Sequence, residues 1–384
     1  MRRVSVGPLA GYKVIELAGI GPGPFCGMML ADMGAEVIRV DRPSNDSQRR
    51  IDVLTRGRKS IAVDLKSAEG KEVILRLCEG ADVIFEGFRP GVTERLGLGP
   101  EDVWQRNPKL VYGRMTGWGQ DGPMANAAGH DINYISLSGA LHAIGNKGGK
   151  PVPPLNLVGD FGGGGMFLAY GIVCALLEAQ KSGNGQVIDT SMVDGASVLM
   201  SMFFTMQAAG IWSAERANNM LDGGAHFYDT YETSDGKYIS LGSIEPQFYA
   251  LLMEKAELDP AVFGKQLERG RWPEMKEALA EVIRQKTRAE WCEIMEGTDV
   301  CFAPVLALTE VAEHPHNQAR KTFIEMDGVL QPAPAPRFSR TEPEATHSSR
   351  LAGEDTRVVL AAAGYSDDEI DSLVEAGAVS LAAG

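Results

Sequence analysis

The sequence is poor in cysteine and in positive charge, and each shortage excludes a class of protein. Its 384 residues include five cysteines, which form no CxxC motif. This usage excludes a disulfide framework and indicates reduced thiols in a cytoplasmic protein. Lys and Arg number 37 against 51 Asp and Glu, which gives a net charge of −14. Because an acidic surface repels nucleic acid and anionic membranes, we expect neither as a partner, and any anion site must be local.

Internal repeats are also missing. We expect no segment to span a membrane, and the N-terminal segment breaks at Gly7-Pro8 before an apolar leader can form. We therefore expect a cytoplasmic protein without membrane insertion. With 44% hydrophobic residues, the chain can bury a sizeable core and has room for two domains.

What the sequence does contain is an alternation of short apolar segments with helical ones. Strands are predicted over 13–19, 36–43, 60–66, 81–88 and 110–119, and helices over 25–34, 71–80 and 166–180. This alternation predicts an α/β fold with a doubly wound, Rossmann-like sheet. Functional residues should then lie at the carboxyl ends of the strands.

The pattern of predicted strands and helices changes near Gly223-Gly224, which indicates a second domain. Residues 226–243 predict a β-hairpin, and helices follow to about residue 320. We expect a large domain over 1–200, a linker over 201–224, a small α+β domain over 225–330, and a final segment over 331–384 that returns to the large domain. That segment opens with QPAPAPRF, an extended connector, and ends with a helix capped by Ser366 and Glu369.

A glycine-rich turn, AGIGPGPFCG, follows the first strand, and Asp41 closes the second. A dinucleotide site would show G-x-G-x-x-G with an acidic residue about 20 positions on. The spacing here is GxGxG, followed by Pro24 and Cys26, and Arg42 directly follows the acid. The pattern therefore favours a tight turn or another phosphate-bearing ligand over NAD.

Positive charge is concentrated in one segment of this acidic chain. Between residues 39 and 66, eight basic residues stand against four acidic ones, a local charge of +4; they are Arg39, Arg42, Arg49, Arg50, Arg56, Arg58, Lys59 and Lys66. Arg89 and Arg95 follow another strand end. Because guanidinium groups match phosphate oxygens, the cluster suits a nucleotide with several phosphates. The alternative is a solvated loop face.

Two residues are candidates for acid/base chemistry. His130 lies in GHDINY, where a loop at a strand end is expected, although a single histidine is often structural. Asp160 stands just before four consecutive glycines that open a predicted helix at Met166. Free N–H groups at a helix start favour developing negative charge, whereas the alternative is that Asp160 caps the helix. The HxH of His314 and His316 has no further ligands nearby and predicts a surface turn, not a metal site.

These segments together resemble one known family. They are similar to the racemase branch of the family III CoA transferases, also called the CaiB/BaiF superfamily, in ELAGIGPGPFCGMMLADMGAEVIRVDRP, VDLKS, FRPGVTERLGLGP, RMTGWGQDGP, GHDINYISLSGAL, PLNLVGDFGGGGMF and GGAHFYDTYET. The resemblance covers nearly the whole chain. It implies a Rossmann-like large domain, a smaller domain and an interlocked homodimer.

The resemblance also implies which residues form the site. His130 and Asp160 would be the two acid/base groups, with Glu245 supporting the histidine. The contacts with a CoA ester would fall on Arg42, Val63, Asp64, Leu65, Lys66, Gly87, Phe88, Arg89, Arg95, Gly129, His130, Asp131, Ile132, Asn133 and Tyr134.

The chemistry implied is inversion of C2, the carbon next to the thioester, in a 2-methylacyl-CoA. Inversion requires one proton-transfer group on each face of a planar enolate, so His130 and Asp160 would share a single proton. We expect the glycine N–H groups after Asp160 to stabilise the enolate oxygen. No metal or redox cofactor is expected.

Two alternatives stay open. The transferase branch uses an aspartate nucleophile at the position of Asp131, so a CoA transferase that moves CoA between carboxylic acids is the second hypothesis. A non-catalytic CoA- or dinucleotide-binding protein is the third. The pairing of His130 with Asp160 favours the racemase. The acyl chain cannot be identified from the sequence, because the methionine-rich stretch 192–220 fits a core as well as an acyl-binding surface.

Overall fold

The computed structural model describes residues 7–43 and 50–382. Its strands are β1 Lys13–Leu17, β2 Glu36–Asp41, β3 Lys59–Val63, β4 Val83–Glu86, β5 Val111–Thr116, β6 Val187–Ser191, β7 Tyr228–Glu232, β8 Tyr238–Gly242, β9 Phe302–Val305, β10 Phe323–Met326, β11 Val329–Pro332 and β12 Val379–Ser380. Its α-helices are α1 Pro22–Asp32, α2 Ala68–Glu79, α3 Val92–Leu96, α4 Pro100–Trp104, α5 Asp131–Leu137, α6 Ala140–Ala143, α7 Met166–Ser182, α8 Met192–Leu199, α9 Ser201–Ala208, α10 Pro246–Lys255, α11 Pro260–Phe263, α12 Trp272–Ile283, α13 Arg288–Met295, α14 Pro315–Arg320, α15 Thr356–Ala362 and α16 Asp367–Glu375. A π-helix, Leu157–Gly165, precedes α7, and 3₁₀-helices cover Val53–Thr55 and Arg269–Arg271.

The described residues form two compact units. The first draws on 7–43, 50–138, 155–199 and 321–382, and the second on 139–154 and 200–320. These bounds differ from the predicted domains because 139–154 groups with the smaller unit and 321–330 with the larger one. The connector predicted at 331–338 begins inside β11, which pairs antiparallel with β10. Gln331 accepts a hydrogen bond of 2.8 Å from buried Arg56, which ties the hairpin to the first unit.

The first unit is built on a seven-stranded sheet with the order β12-β3-β2-β1-β4-β5-β6. Strands β1 to β6 are parallel, and β12 pairs antiparallel with β3. The strand order reverses between β1 and β4, so the sheet is doubly wound, as predicted. The carboxyl ends of the six parallel strands meet at one edge, where ligands bind in such folds.

Both faces of this sheet are covered, which explains why its strands carry apolar side chains on both sides. Val14 packs on one face with Leu168 of α7, and the next residue, Ile15, packs on the other with Val73 of α2. Leu360 of α15 joins the second face. The side chains therefore alternate between the two cores with the period of a strand.

The π-helix and α7 run on without a break as a helix from Leu157 to Ser182. Contrary to the sequence-based expectation, this helix is long and apolar enough to cross a membrane, judged by length and composition alone. One side of it is buried in the first unit, where Leu168, Ile172 and Leu176 pack in the sheet core. A core helix has these same properties.

The second unit has a three-stranded antiparallel sheet, ordered β7-β8-β9. The predicted hairpin is confirmed: β7 pairs with β8, and the Thr233 N–H donates to the Lys237 carbonyl at 2.9 Å across the turn. Gly236 has φ of 71°, which the turn requires. Leu252 of α10 and Met275 of α12 pack with the strand residue Ile239 in the core of this unit.

Candidate active site

The expected CoA contacts of the first unit lie at the carboxyl edge of its sheet. Arg42 directly follows β2, Val63–Lys66 begins at the last residue of β3, and Gly87–Arg89 directly follows β4. Gly129–Tyr134 leads from the loop after β5 into α5. Because these strands are parallel and adjacent, the topology brings segments far apart in sequence to one edge.

The turn after β1 lies at the same edge, between the two halves of the sheet. Gly21 has φ of 70° and precedes α1, which begins with Pro22. A Cβ on Gly21 would lie 3.0 Å from the Oδ2 atom of Asp160. The turn is therefore tight, as the sequence favoured, and Asp160 lies directly against it.

The basic cluster is largely neutralised inside the protein, which corrects the prediction of a phosphate-binding segment with a charge of +4. Three of its arginines are buried in ion pairs, Arg39 with Asp41, Arg56 with Asp32, and Arg58 with Glu16. Lys59 and Arg50 pair with Glu36 and Glu354. Arg49 lies outside the described residues.

The cations left for a ligand are few. Arg42, Lys66, Arg89 and Arg95 are exposed, and within 7–43 and 50–382 no hydrogen bond or ion pair engages the side chain of any of the four. All four belong to the expected CoA contacts. A small set of solvated cations at the sheet edge thus replaces the large cluster that the charge count indicated.

His130 occupies the position just before α5. Its backbone is extended, with φ of −134° and ψ of 173°, and its N–H donates to Asn133 Oδ1 at 3.0 Å. The Asn133 N–H donates back to the His130 carbonyl at 2.8 Å. These reciprocal bonds fix the start of the helix and leave the exposed imidazole free to face a ligand.

The loop that carries His130 is held by Tyr134, whose ring is buried. It packs edge-on against Trp118, with ring centroids 4.8 Å apart. A Cβ on Gly129 would lie 2.7 Å from the Tyr134 ring, and one on Gly117 would lie closer still. Only glycine allows the loop to approach the ring this closely, so the ring sets the position of the His130 backbone.

Asp160 lies in the first turn of the π-helix and is half-buried. Its Oδ2 accepts a hydrogen bond from Asn156 Nδ2 at 3.1 Å, and its backbone N–H donates to Asp131 Oδ2 at 2.7 Å. Asn156 was not predicted as a site residue. The available signal was its place four residues before Asp160, which puts both side chains on one side of a helical turn.

The pKa of the Asp160 carboxyl is raised above its ordinary value. Burial is the main cause, and the negative charge of Asp131 adds to it, while the hydrogen bond from Asn156 and the charge of His130 lower the pKa. Both predicted acid/base groups lie in the first unit, where the Asp160 N–H is hydrogen-bonded to Asp131, the residue that follows His130. A carboxyl that is reluctant to ionise can take up a proton closer to neutral pH.

The four glycines after Asp160 do not open a helix, which corrects the expectation that their N–H groups are free. In the π-helix each N–H donates five residues back, as Phe161 does to the Asn156 carbonyl at 3.3 Å. The N–H groups of 162–165 are therefore used inside the helix. The glycines instead permit close packing, since a Cβ on Gly163 would lie 2.6 Å from the Ala196 nitrogen of α8.

Glu86 is a buried carboxyl that the sequence analysis missed. It ends β4, is 3% exposed, and accepts a hydrogen bond of 2.6 Å from the Phe88 N–H in the expected CoA segment. Burial raises its pKa to about 7, against the lowering effects of that hydrogen bond and of Arg114. Its neighbours in sequence are Phe85 and Gly87, so nothing local marked it as more than a strand residue.

Glu245 lies in the second unit, at the position before α10, where its own side chain makes no capping bond. Its support of His130 stays a prediction. The Nε2 atom of His314 lies 2.6 Å from Oε1 of Glu296, and His316 does not complete a metal site. Among the described residues no group of three or more His, Cys, Asp or Glu side chains could hold a metal ion. All five cysteines are free.

The fold and the site define a doubly wound α/β protein with a carboxyl and an imidazole at the carboxyl edge of its sheet. Residues 9–356 match the family described as CoA-transferase family III. The chain is 50% identical over 365 residues to alpha-methylacyl-CoA racemase of Mus musculus, covering 94% of this chain and 95% of that one. It is 46% identical over 379 residues to the Homo sapiens protein of the same name, covering 97% and 98%.

A solved structure agrees with these relatives. A CaiB/BaiF family protein from Brucella suis superposes with a TM-score of 0.80 at 26% identity, covering 93% of this chain and all of that one. The chain belongs to CoA-transferase family III.

Proposed function

We propose that this protein is a racemase that inverts C2 of 2-methylacyl-CoA thioesters by proton transfer through an enolate. The observation that carries the proposal is the hydrogen bond of 2.7 Å from the Asp160 N–H to Asp131 Oδ2, because it holds Asp160 next to the residue that directly follows His130. The mouse and human relatives, which are named for this activity, support it.

The pair works because two groups share one proton. In one direction neutral His130 removes the C2 proton while protonated Asp160 delivers another to the opposite face; in the reverse direction ionised Asp160 removes it and charged His130 delivers. Each positioned proton transfer contributes about 10²–10⁴-fold in rate. The raised pKa of Asp160 suits this role, because the carboxyl must be protonated in half of the cycle.

The enolate oxygen needs a donor, and the glycine N–H groups cannot supply it. The N–H of Asp131, the first residue of α5, has no acceptor among the described residues and lies next to His130. We assign this N–H to the thioester oxygen, where a donor strengthens as charge develops. The reaction moves protons only, so we propose no metal or redox cofactor.

The CoA part of the substrate would bind along the sheet edge. Arg42, Lys66, Arg89 and Arg95 carry the charge for its phosphates, and Glu86 holds the turn that contains Arg89 through the Phe88 N–H. These groups would take no part in the proton transfer, because they bind a part of the substrate that does not change. We also propose a cytoplasmic location, in keeping with five free cysteines.

A second candidate is transfer of CoA between carboxylic acids, which the family description favours. It would use Asp131 as a nucleophile that forms an acyl anhydride and then a CoA thioester. Such intermediates leave a covalent adduct on Asp131 that hydroxylamine or borohydride cleaves. We expect no such adduct after incubation with an acyl-CoA.

We further propose a homodimer. The outer side of α7 carries three large exposed side chains, Met166, Tyr170 and Leu177, and Val198 and Leu199 of α8 are also exposed. A group of large exposed apolar side chains is typical of a protein–protein interaction site. Sedimentation equilibrium should give twice the mass of the chain, and a Tyr170→Asp variant should shift the protein toward monomer.

The racemase is tested with each pure enantiomer of a 2-methylacyl-CoA in deuterated water, without added metal, nucleotide or acyl acceptor. We expect deuterium at C2 and loss of configuration from either enantiomer. Inversion without deuterium uptake would indicate hydride chemistry. Strict dependence on a second carboxylic acid would support the transferase instead.

A further inference from the structure

Asp131 is a buried carboxylate with one oxygen engaged and one unengaged. It is 6% exposed, its Oδ2 accepts the Asp160 N–H at 2.7 Å, and its Oδ1 has no hydrogen-bond partner in the described chain. A Cβ on Gly159 would lie 2.5 Å from that Oδ2, so the carboxylate sits tightly against the backbone next to Asp160. Attack on a thioester needs an exposed oxygen, and this carboxylate is instead packed inward.

The charge of this carboxylate acts on Asp160. Three ionisable groups interact with the Asp160 carboxyl, namely Asp131 at the start of α5, His130 just before it, and Tyr134 one turn further along. Asn156 adds a hydrogen bond from the turn that precedes Asp160. Asp131 is the one like charge in this set, and it opposes ionisation of Asp160.

We propose that Asp131 is a positioning residue for Asp160: its carboxylate anchors the Asp160 backbone, and its negative charge keeps the Asp160 carboxyl ready to take up a proton. This inference deepens the racemase proposal and rests on it for its catalytic meaning. It gives the aspartate that could act as a nucleophile a different task in the same place.

The two parts of this role separate in different variants. Asp131→Asn keeps an oxygen that can accept the Asp160 N–H but removes the charge. Asp131→Ala removes both and leaves a half-buried N–H without its acceptor, at a cost of about tenfold in kcat/KM beyond the loss of charge. Asp131→Ser keeps an acceptor without charge and serves if the asparagine variant does not fold.

The first measurement is independent of activity. The protein is labelled with ¹³C at the aspartate carboxyl carbons, and Asp160→Asn identifies the Asp160 signal. We expect the midpoint pH of this signal to fall in Asp131→Asn relative to the wild type. The control is Asp102→Asn on α4, where the aspartate also accepts a backbone N–H, from Gly99 at 3.0 Å; this variant should leave the midpoint unchanged.

The second measurement is the pH profile of kcat/KM for both enantiomers. The acid limb should move to lower pH in Asp131→Asn, by the same amount for both, because the equilibrium between enantiomers ties the two values together. An unchanged Asp160 midpoint, or an inactive but folded Asp131→Asn whose wild type carries an acyl adduct on Asp131, would overturn the inference. If the midpoint falls in Asp131→Asn as expected but the wild type racemises nothing, the proposed function alone would be overturned.

Discussion

Asn156 donates a hydrogen bond from its Nδ2 to Oδ2 of Asp160 at 3.1 Å, one turn apart at the start of the π-helix. The bond favours the ionised carboxylate and lowers the pKa of Asp160, against the raising effects of burial and of Asp131. Asn156 and Asp131 therefore act on one carboxyl in opposite directions.

Removing this hydrogen bond should raise the pKa of Asp160. We expect the acid limb of kcat/KM to move to higher pH in Asn156→Ala, opposite to its movement in Asp131→Asn. The check is the pH profile of both variants in one buffer series. If the acid limb moved in the same direction in both variants, a general disturbance of the site would control the profile, not charge and hydrogen bonding.

The acid/base pair itself predicts opposite residual activities. His130→Ala and Asp160→Ala should each abolish racemisation, yet each should retain slow exchange at C2 of the enantiomer whose proton faces the surviving base. Glu245→Gln should lower the rate for both enantiomers, because it would only orient His130. Exchange is measured in deuterated water by mass spectrometry, with folding checked by circular dichroism. Loss of the same enantiomer's exchange in both alanine variants would show that one residue is misassigned.

The exposed arginines predict a binding effect without a chemical one. Arg42→Ala and Arg95→Ala should raise KM for the acyl-CoA and leave kcat within about threefold, because contacts far from C2 stabilise ground and transition states alike. Arg357, which lies on α15 and pairs with Asp371, offers a matched control as Arg357→Ala. An unchanged KM in both site variants would show that these arginines are solvated surface residues that do not bind the substrate.

The glycines at the contact between the π-helix and α8 predict that a larger residue there will destabilise the protein. A Cβ on Gly195 would collide with the Gly163 carbonyl oxygen, so Gly195→Ala must push the two helices apart. We expect a loss of about 1–3 kcal/mol in the free energy of unfolding, together with reduced activity because Asp160 moves with its helix. Gly80→Ala, where a Cβ would meet nothing within 4 Å, is the control for denaturant unfolding.

His226 predicts weaker stability in acid. It is fully buried in the second unit, and its Nε2 lies 2.7 Å from the Tyr249 hydroxyl, which itself donates to the Phe263 carbonyl at 2.9 Å. The Nε2 atom therefore carries the hydrogen, and Nδ1 has no partner among the described residues. Burial lowers the pKa of His226 from 6.5 to about 4.

The sign follows from proton binding. Between pH 6.5 and about 4 the unfolded state binds a proton at this residue and the folded state does not, so the free energy of unfolding falls as the pH falls through this range. The full effect is about 3 kcal/mol. Urea unfolding at pH 7 and pH 4.5 should show a smaller difference for His226→Gln than for the wild type. An equal difference would assign the acid sensitivity to other groups.

The parallel sheet was predictable because its signals are local. Each strand is a short apolar run and each helix has its own period, so alternation alone predicts the doubly wound order. The same holds for the start of α16, where Ser366 and Glu369 exchange bonds of 3.2 and 2.7 Å within a single turn. The edge of the sheet that holds His130 and the CoA segments follows from strand direction.

The surroundings of the site were less accessible to sequence reasoning. His130 and Asp160 were identified as residues, but the hydrogen bond that joins Asp160 to Asp131 spans 29 positions. Glu86 could not be recognised, because its raised pKa comes from burial. Neighbours of a side chain that come from other elements leave no local pattern.

The sequence by itself therefore determined the alternation of strands and helices in the first unit and the hairpin at Gly236, and it singled out His130 and Asp160 as candidates. Only the tertiary structure decided what the charges and the glycines do. Arg56 pairs with Asp32, 24 positions away, and with Gln331, 275 positions away. A buried guanidinium is stable only where folding brings such partners to it, and four glycines form a packing seam only where another helix lies against them.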